Sequence, residues 1–173
     1  MLQLLKPDQF DEFFKILSEA FPKAEYRPYE KQLALLNLPY YKIYTYEQDA
    51  KIAAFFAVWE GPSFVFIEHF AVKEAFRNGG IGAQLLQAFT QLQNKPIILE
   101  SEDPTTEIQR RRIAFYERNA FFKNEFGYLQ PVLTEGETTV PLILMTYPAI
   151  LDEVTFKEFK TWVFEKVYGV GEE

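Results

Sequence analysis

The residues best placed to do chemistry lie in one glycine-rich run, Arg77-Asn78-Gly79-Gly80-Ile81-Gly82-Ala83. It follows an apolar strand-like stretch and opens a helix-like one. Glycine permits positive φ and lets a ligand approach the backbone closely. The free N–H groups of a helix start attract an anion such as a pyrophosphate, and Arg77 can add a charge-assisted contact. Three phosphate-binding patterns compete here. A P-loop would end in Gly-Lys-Ser/Thr, which is absent. A dinucleotide fingerprint starting at Gly80 would need glycine where Leu85 stands. The third, Arg/Gln-x-x-Gly-x-Gly/Ala, is met by Arg77, Gly80 and Gly82. The alternative is a glycine-rich turn that binds nothing.

Carboxylates come next. Glu68 interrupts the apolar run Phe64–Val72. By strand alternation it shares a face with Phe66, Phe70 and Val72, with His69 on the opposite face. A carboxylate there is costly unless it is paired or reaches a polar pocket. Either it opens onto a pocket, where desolvation raises its pKa towards that of a useful base, or a structural partner holds it. Glu100 and Glu102 share a face at the end of the next strand and form a second pair of substrate candidates. Glu102 reads equally as a solvated strand-end charge. His69 is the only histidine, and a structural role is its default. A lone histidine and no cysteine exclude multi-histidine and thiolate metal sites, disulfides and a cysteine nucleophile, so no metal is expected. Arg110-Arg111-Arg112 is the densest basic run and reads mainly as a solvated helix face.

The elements that must position these residues follow from periodicity. Met1–Leu5 is a short strand. Phe10, Phe13, Phe14, Leu17 and Phe21 recur at helical spacing after Pro7-Asp8. Pro28–Leu38 is a second helix. Tyr40–Glu47 and Lys51–Glu60 form a hairpin about Gln48-Asp49-Ala50. After the strand Phe64–Val72 comes a helix from about Gly82 to Gln93, with Leu85, Leu86, Phe89 and Leu92 on one face. Ile97–Glu100 is a buried strand and Thr105–Arg118 a helix. Phe121–Leu129 and Thr139–Thr146 are late strands. Asp152–Tyr168 is a terminal helix with Thr155 and Glu158 as a capping box. The order predicts an α/β (α+β) fold, a mostly antiparallel mixed sheet with a central βαβ unit and flanking helices. Nothing divides the chain, so residues 1–173 are expected to be one domain.

Composition narrows the class. With 48% hydrophobic residues, 18 Phe and 10 Tyr, the core is bulky and aromatic. A net charge of −7 argues against nucleic acid as a partner. No run is long and apolar enough to span a bilayer, and the start does not read as a signal peptide, so no membrane and a cytoplasmic location are the default expectations. The aromatic surplus permits a homodimer.

Two stretches together carry a family resemblance. FIEHFAVKEAFRNGGIGAQLL is similar to the acyl-CoA-binding motif of the GNAT N-acetyltransferases. Arg112-Ile113-Ala114-Phe115-Tyr116-Glu117-Arg118-Asn119-Ala120-Phe121 resembles the helix-to-turn motif that follows it in that family. The chain departs from the pattern at Ala120, where the family has glycine, and near Gln109 and Arg112.

The resemblance implies acetyl-CoA as cosubstrate and a small-molecule or peptide amine as acceptor. It implies that the strand before the turn splays from its neighbour, that backbone groups of Phe70 and Val72 meet the pantetheine, and that residues 77–83 hold the pyrophosphate. A backbone N–H, that of Val72, would polarise the thioester carbonyl. Tyr116 stands at the position of the general acid, and a phenol pKa of about 10 suits protonation of a leaving thiolate. Ring packing is the alternative for Tyr116. For the proton of the ammonium, the carboxylates are the available bases, with Glu68, which interrupts its apolar strand, first as base or ammonium holder. Direct attack by a primary amine in a ternary complex follows. The alternatives are a non-catalytic acyl-CoA-binding or regulatory module, and an acyltransferase with another donor.

Overall fold

Strand-forming and helix-forming stretches alternate along the chain much as the periodicities predict. In the computed structural model, residues 1–132, 136 and 138–170 are described. The strands are β1 (Gln3–Leu4), β2 (Tyr41–Gln48), β3 (Lys51–Glu60), β4 (Val65–Val72), β5 (Ile97–Glu102), β6 (Phe122–Lys123), β7 (Leu129–Gln130) and β8 (Val140–Tyr147). The α-helices are α1 (Phe10–Ala20), α2 (Tyr29–Ala34), α3 (Ile81–Leu92), α4 (Glu107–Arg118) and α5 (Glu153–Lys166). The sheet runs β1-β2-β3-β4-β5-β8-β6, with β7 also on β8. Pairing is antiparallel except between β4 and β5, which are parallel and joined through α3.

The sheet separates two cores. On one face α1 and α5 pack Phe13, Leu17, Phe159 and Val163 against Phe55, Trp59 and Phe66. On the other α3 and α4 pack Leu86, Phe89, Ile113 and Tyr116 against Phe56, Ile67 and Leu99. β3 runs through the middle and is buried on both faces from Ile52 to Trp59, so its sequence reads as one apolar run instead of an alternation.

Three expectations need correction. The strand expected over 121–129 is broken into β6 and β7. Between them Asn124 N still donates to Leu144 O, but its side-chain amide also turns onto Leu144 O and Thr146 Oγ1 and accepts from Leu151 N, which draws the chain out of the regular ladder. The α5 cap is Asp152, accepting from Thr155 N at 2.7 Å, in place of Thr155. Leu92 ends α3 at 60% exposure and so lies off its buried face.

Candidate functional site

The two central strands part company midway. β4 and β5 pair only at Val65–Ile67 against Ile97–Leu99. Beyond that point β4 stays with β3 and β5 stays with β8. Their facing edges are therefore open from Glu68 and Glu100 onward. In the β3–β4 ladder, Lys73 N donates to Ala53 O at 2.8 Å. Antiparallel pairs alternate between bonded and non-bonded, so Phe70 and Val72 fall in non-bonded positions opposite Phe56 and Ala54. Their N–H groups point away from β3, into the opened edge.

β4 also carries a bulge. Ala57 faces His69 and Val58 faces Ile67, which leaves Glu68 as the extra residue. The bulge overturns the expected alternation. Phe66 lies in the α1/α5 core, whereas Phe70 and Val72 pack with the α3/α4 core. Glu68 and His69 both turn towards α1 and α5. They do not oppose each other, because an inserted residue places two successive side chains on one face.

Glu68 meets a full set of partners there. Arg27 donates from Nη1 and Nη2 to its two oxygens at 3.0 Å each, and Trp59 Nε1 donates at 3.0 Å. Arg27 also donates to Val167 O at 2.7 Å, which ties the end of α5 to the bulge. Its guanidinium lies 5.6 Å from the Trp59 ring centroid. Burial alone would raise the Glu68 pKa, but the Arg27 charge and hydrogen bonds hold it below the usual range. The expectation of a raised pKa is thus corrected: of the two possibilities set by the sequence, a structural partner holds this carboxylate. His69 Nε2 lies 2.6 Å from Glu25 O, and burial pushes its pKa down, so the ring is neutral.

The glycine turn adopts the conformation its residues suggest. Asn78 and Gly80 have φ of 71° and 75°. Gly80 precedes α3 without any side-chain cap, and Gln84 N is bonded back to Gly80 O. The amides of Ile81, Gly82 and Ala83 therefore precede the helix's own hydrogen bonds. A Cβ on Gly79 or Gly80 would meet nothing within 4 Å, so their backbone lies open. A Cβ on Gly82 would meet Phe115 and Val72 at 3.6 Å, which makes it the closed back of the turn. Arg77 Nε donates to Val72 O at 2.8 Å and pins the turn to the end of β4. A groove lined by Phe70, Val72, Asn78, Gly80, Arg111 and Phe115 leads from this turn along α4.

On the α1 side of the opened edge is a second concavity, lined by Glu25, His69, Glu100, Ser101, Glu102 and Gln130 among others. Tyr116 lines both hollows. Burial pushes the Tyr116 pKa up to about 12, so its phenol keeps its proton. Glu100 accepts from Tyr168 Oη at 2.5 Å, yet desolvation dominates and raises its pKa to about 8. Glu102 is already engaged by Gln109 Nε2 at 2.5 Å and by Arg112 at 3.9 Å. Gln109 in turn closes a capping box with Thr106. Glu25 is raised to about 7, by desolvation first and by the Glu102 charge second.

The structure thus gathers Tyr116, Glu100, Glu102 and the strand-end backbone of residues 70–72 about one opening, beside the turn 77–83. Glu68 lines the same opening, but its carboxylate is taken up by Arg27 and Trp59. Sequence reading missed Glu25, Arg27 and Gln130. Glu25 and Arg27 lie in the irregular segment between α1 and α2, where no periodicity marks a face, and only the tertiary fold carries them to the bulge.

Known proteins share this family domain and fold. The family model for the GNAT acetyltransferase domain matches residues 39–122. A Bacteroides thetaiotaomicron protein assigned to the GNAT family of acetyltransferases superposes with a TM-score of 0.90 at 30% identity, over 98% of this chain and 99% of that one. The Escherichia coli ribosomal-protein-S18-alanine N-acetyltransferase shares the fold, with a TM-score of 0.63 at 19% identity over 88% and 95%. So does a Bacillus subtilis acetyltransferase in complex with CoA, with 0.58 at 17% over 84% and 95%. No curated protein matches the sequence.

Proposed function

Because this chain belongs to the GNAT family of acetyltransferases, we propose that residues 1–173 form one domain that moves an acetyl group from acetyl-CoA to a primary amine. The observation that carries the reading is the opening between β4 and β5, with Tyr116 lining both the groove on one side and the acidic hollow on the other. In this reading residues 77–83 hold the pyrophosphate on their backbone N–H groups. The outward N–H groups of Phe70 and Val72 meet the pantetheine, and that of Val72 polarises the thioester carbonyl. Groups along the groove such as Arg111 and Arg118 add positive charge for the phosphates.

An ammonium acceptor must lose a proton before it attacks. Glu100 takes that proton. Its pKa of about 8 makes it a stronger base than an ordinary carboxylate. The amine lone pair then forms the C–N bond as the C–S bond breaks. Tyr116 gives its proton to the departing thiolate, and the nitrogen's surplus proton returns to the tyrosinate, leaving a neutral amide and the CoA thiol. Glu68 is not assigned the base. It is a positioning residue, holding Arg27 and through it the segment that carries Glu25.

Tyr116→Phe tests the acid. The ring, and therefore the packing, is kept. Turnover is expected to fall by about 10²–10⁴-fold with CoA affinity unchanged in calorimetry. An unaltered rate with chemistry limiting would reduce Tyr116 to a core ring.

A further inference from the structure

The hollow on the α1 side holds more carboxyl groups and more empty hydrogen-bond acceptors than a single reacting amine needs. Of its carboxylates, Glu68 is neutralised by Arg27, and Glu102 is engaged by Arg112 and Gln109. Glu25 and Glu100 face no cation at ion-pair distance among the described residues. The Glu102 charge opposes ionisation of Glu25, with Arg112 working against it, and the Glu68 and Glu25 charges oppose ionisation of Glu100. Glu25 Oε2 is buried with no hydrogen-bond partner among the described residues.

Three further side chains, almost wholly buried, line the same hollow with an unused polar atom. His69 is 2% exposed, Ser101 3% and Gln130 3%. His69 Nε2 faces the Glu25 carbonyl, which can only accept, so Nε2 carries the ring proton, and Nδ1, 3.8 Å from Glu68 Oε1, is a bare lone pair beside a carboxylate. Tyr168 gives its hydroxyl proton to Glu100, so that hydroxyl accepts from Gln130 Nε2 and leaves Gln130 Oε1 unused. Ser101 Oγ, a hydroxyl that donates or accepts, is also unused, so every unused atom here can accept. A ligand that satisfies them must bring N–H donors and positive charge together. Between the polar groups lie Ile67, Leu99 and Leu142, which suit methylene groups.

We propose that the acceptor is an aliphatic diamine or polyamine, with one amine reacting beside Glu100 and a second ammonium held by Glu25, His69 Nδ1 and Gln130. This rests on the N-acetyltransferase reading above and names its substrate class. A carboxylate in place of the second ammonium would be repelled by the same residues, so simple amino acids are excluded from the site.

The test uses the intact chain with CoA present. 1,4-Diaminobutane, butylamine and 4-aminobutanoate are titrated calorimetrically into wild type and Glu25→Gln, and acetyl-CoA consumption is followed with each. The diamine is expected to bind about tenfold or more tighter than butylamine, the size of a charge-assisted contact, with 4-aminobutanoate weakest. Glu25→Gln should close most of the gap between diamine and butylamine. Equal binding of diamine and butylamine by wild type overturns the inference whatever the variant does. So does a gap that survives in a folded Glu25→Gln. Preferential diamine binding without acetyl-CoA consumption by any amine would uphold the dication site and sink the transferase reading instead.

Discussion

Glu68 and Glu100 stand on neighbouring strands where β4 and β5 part, and their surroundings push them in opposite directions. Glu68 has a bidentate Arg27, the Trp59 indole N–H and a side chain with no exposure at all. Its pKa lies below the usual range. Glu100 has a tyrosine hydroxyl and no cation, and its pKa is raised to about 8. A buried charge that is fully paired serves the fold. One left with only hydroxyls for company costs the fold something, and such a cost is retained where chemistry uses it.

The sharpest way to break the comparison is to remove one member of the paired set. Glu68→Gln should destabilise by about 3–5 kcal/mol, because Arg27 is left buried without its counter-ion. Replacing both, as Arg27→Met with Glu68→Leu, should restore much of that loss. Urea unfolding measures each. If Glu68→Gln unfolds like wild type but loses turnover, then Glu68 belongs to the chemistry and the contrast fails. The pH dependence carries a sign as well. A carboxylate with a lowered folded pKa contributes fully above its unfolded pKa of about 4.3. That contribution is lost as pH falls through the lower folded value.

Glu100→Gln should do the reverse. Turnover should fall by about 10²–10⁴-fold, the range for a lost general base. Stability should rise. With a raised folded pKa, the folded wild type holds its proton more tightly than the unfolded chain, so wild-type stability declines as pH climbs from about 4.3 to about 8. The glutamine variant lacks that decline, and its advantage is largest above pH 8. The rise of wild-type kcat/KM through about pH 8 should disappear with it. A Glu100→Gln that is destabilised at pH 9 would place Glu100 with Glu68 as a structural charge.

A smaller effect, remote from both carboxylates, sets a scale for these. Ala120 sits at φ +67° just past the end of α4, where a Cβ is strained. This is the position at which the family resemblance calls for glycine. Ala120→Gly should stabilise by about 1 kcal/mol and leave the pH–rate profile unmoved. A shift in the profile would mean that this turn is coupled to Tyr116, whose carbonyl accepts from Asn119 N and Phe121 N.

Local pattern was enough for most elements of this protein. Periodicity marked α1, α3, α5 and the β2–β3 hairpin, because each buries a face whose spacing is set by its own backbone geometry. The glycine turn was equally legible, since positive φ at Gly80 and an uncapped helix start are properties of a few adjacent residues. The Tyr116 position came with the second motif. What local pattern could not supply was the fate of Glu68. Alternation placed it with Phe70 and Val72. A one-residue bulge, visible only as a shift of register against β3, sent Phe70 and Val72 to the other face and left Glu68 with Phe66. Its partner Arg27 lies 41 residues away in sequence. Gln130 and Tyr168, which orient the Glu100 side, lie on β7 and at the end of α5. Sequence determines such features only through the packing of distant segments. Whether a carboxylate acts as base or as counter-ion depends on which charges that packing leaves beside it.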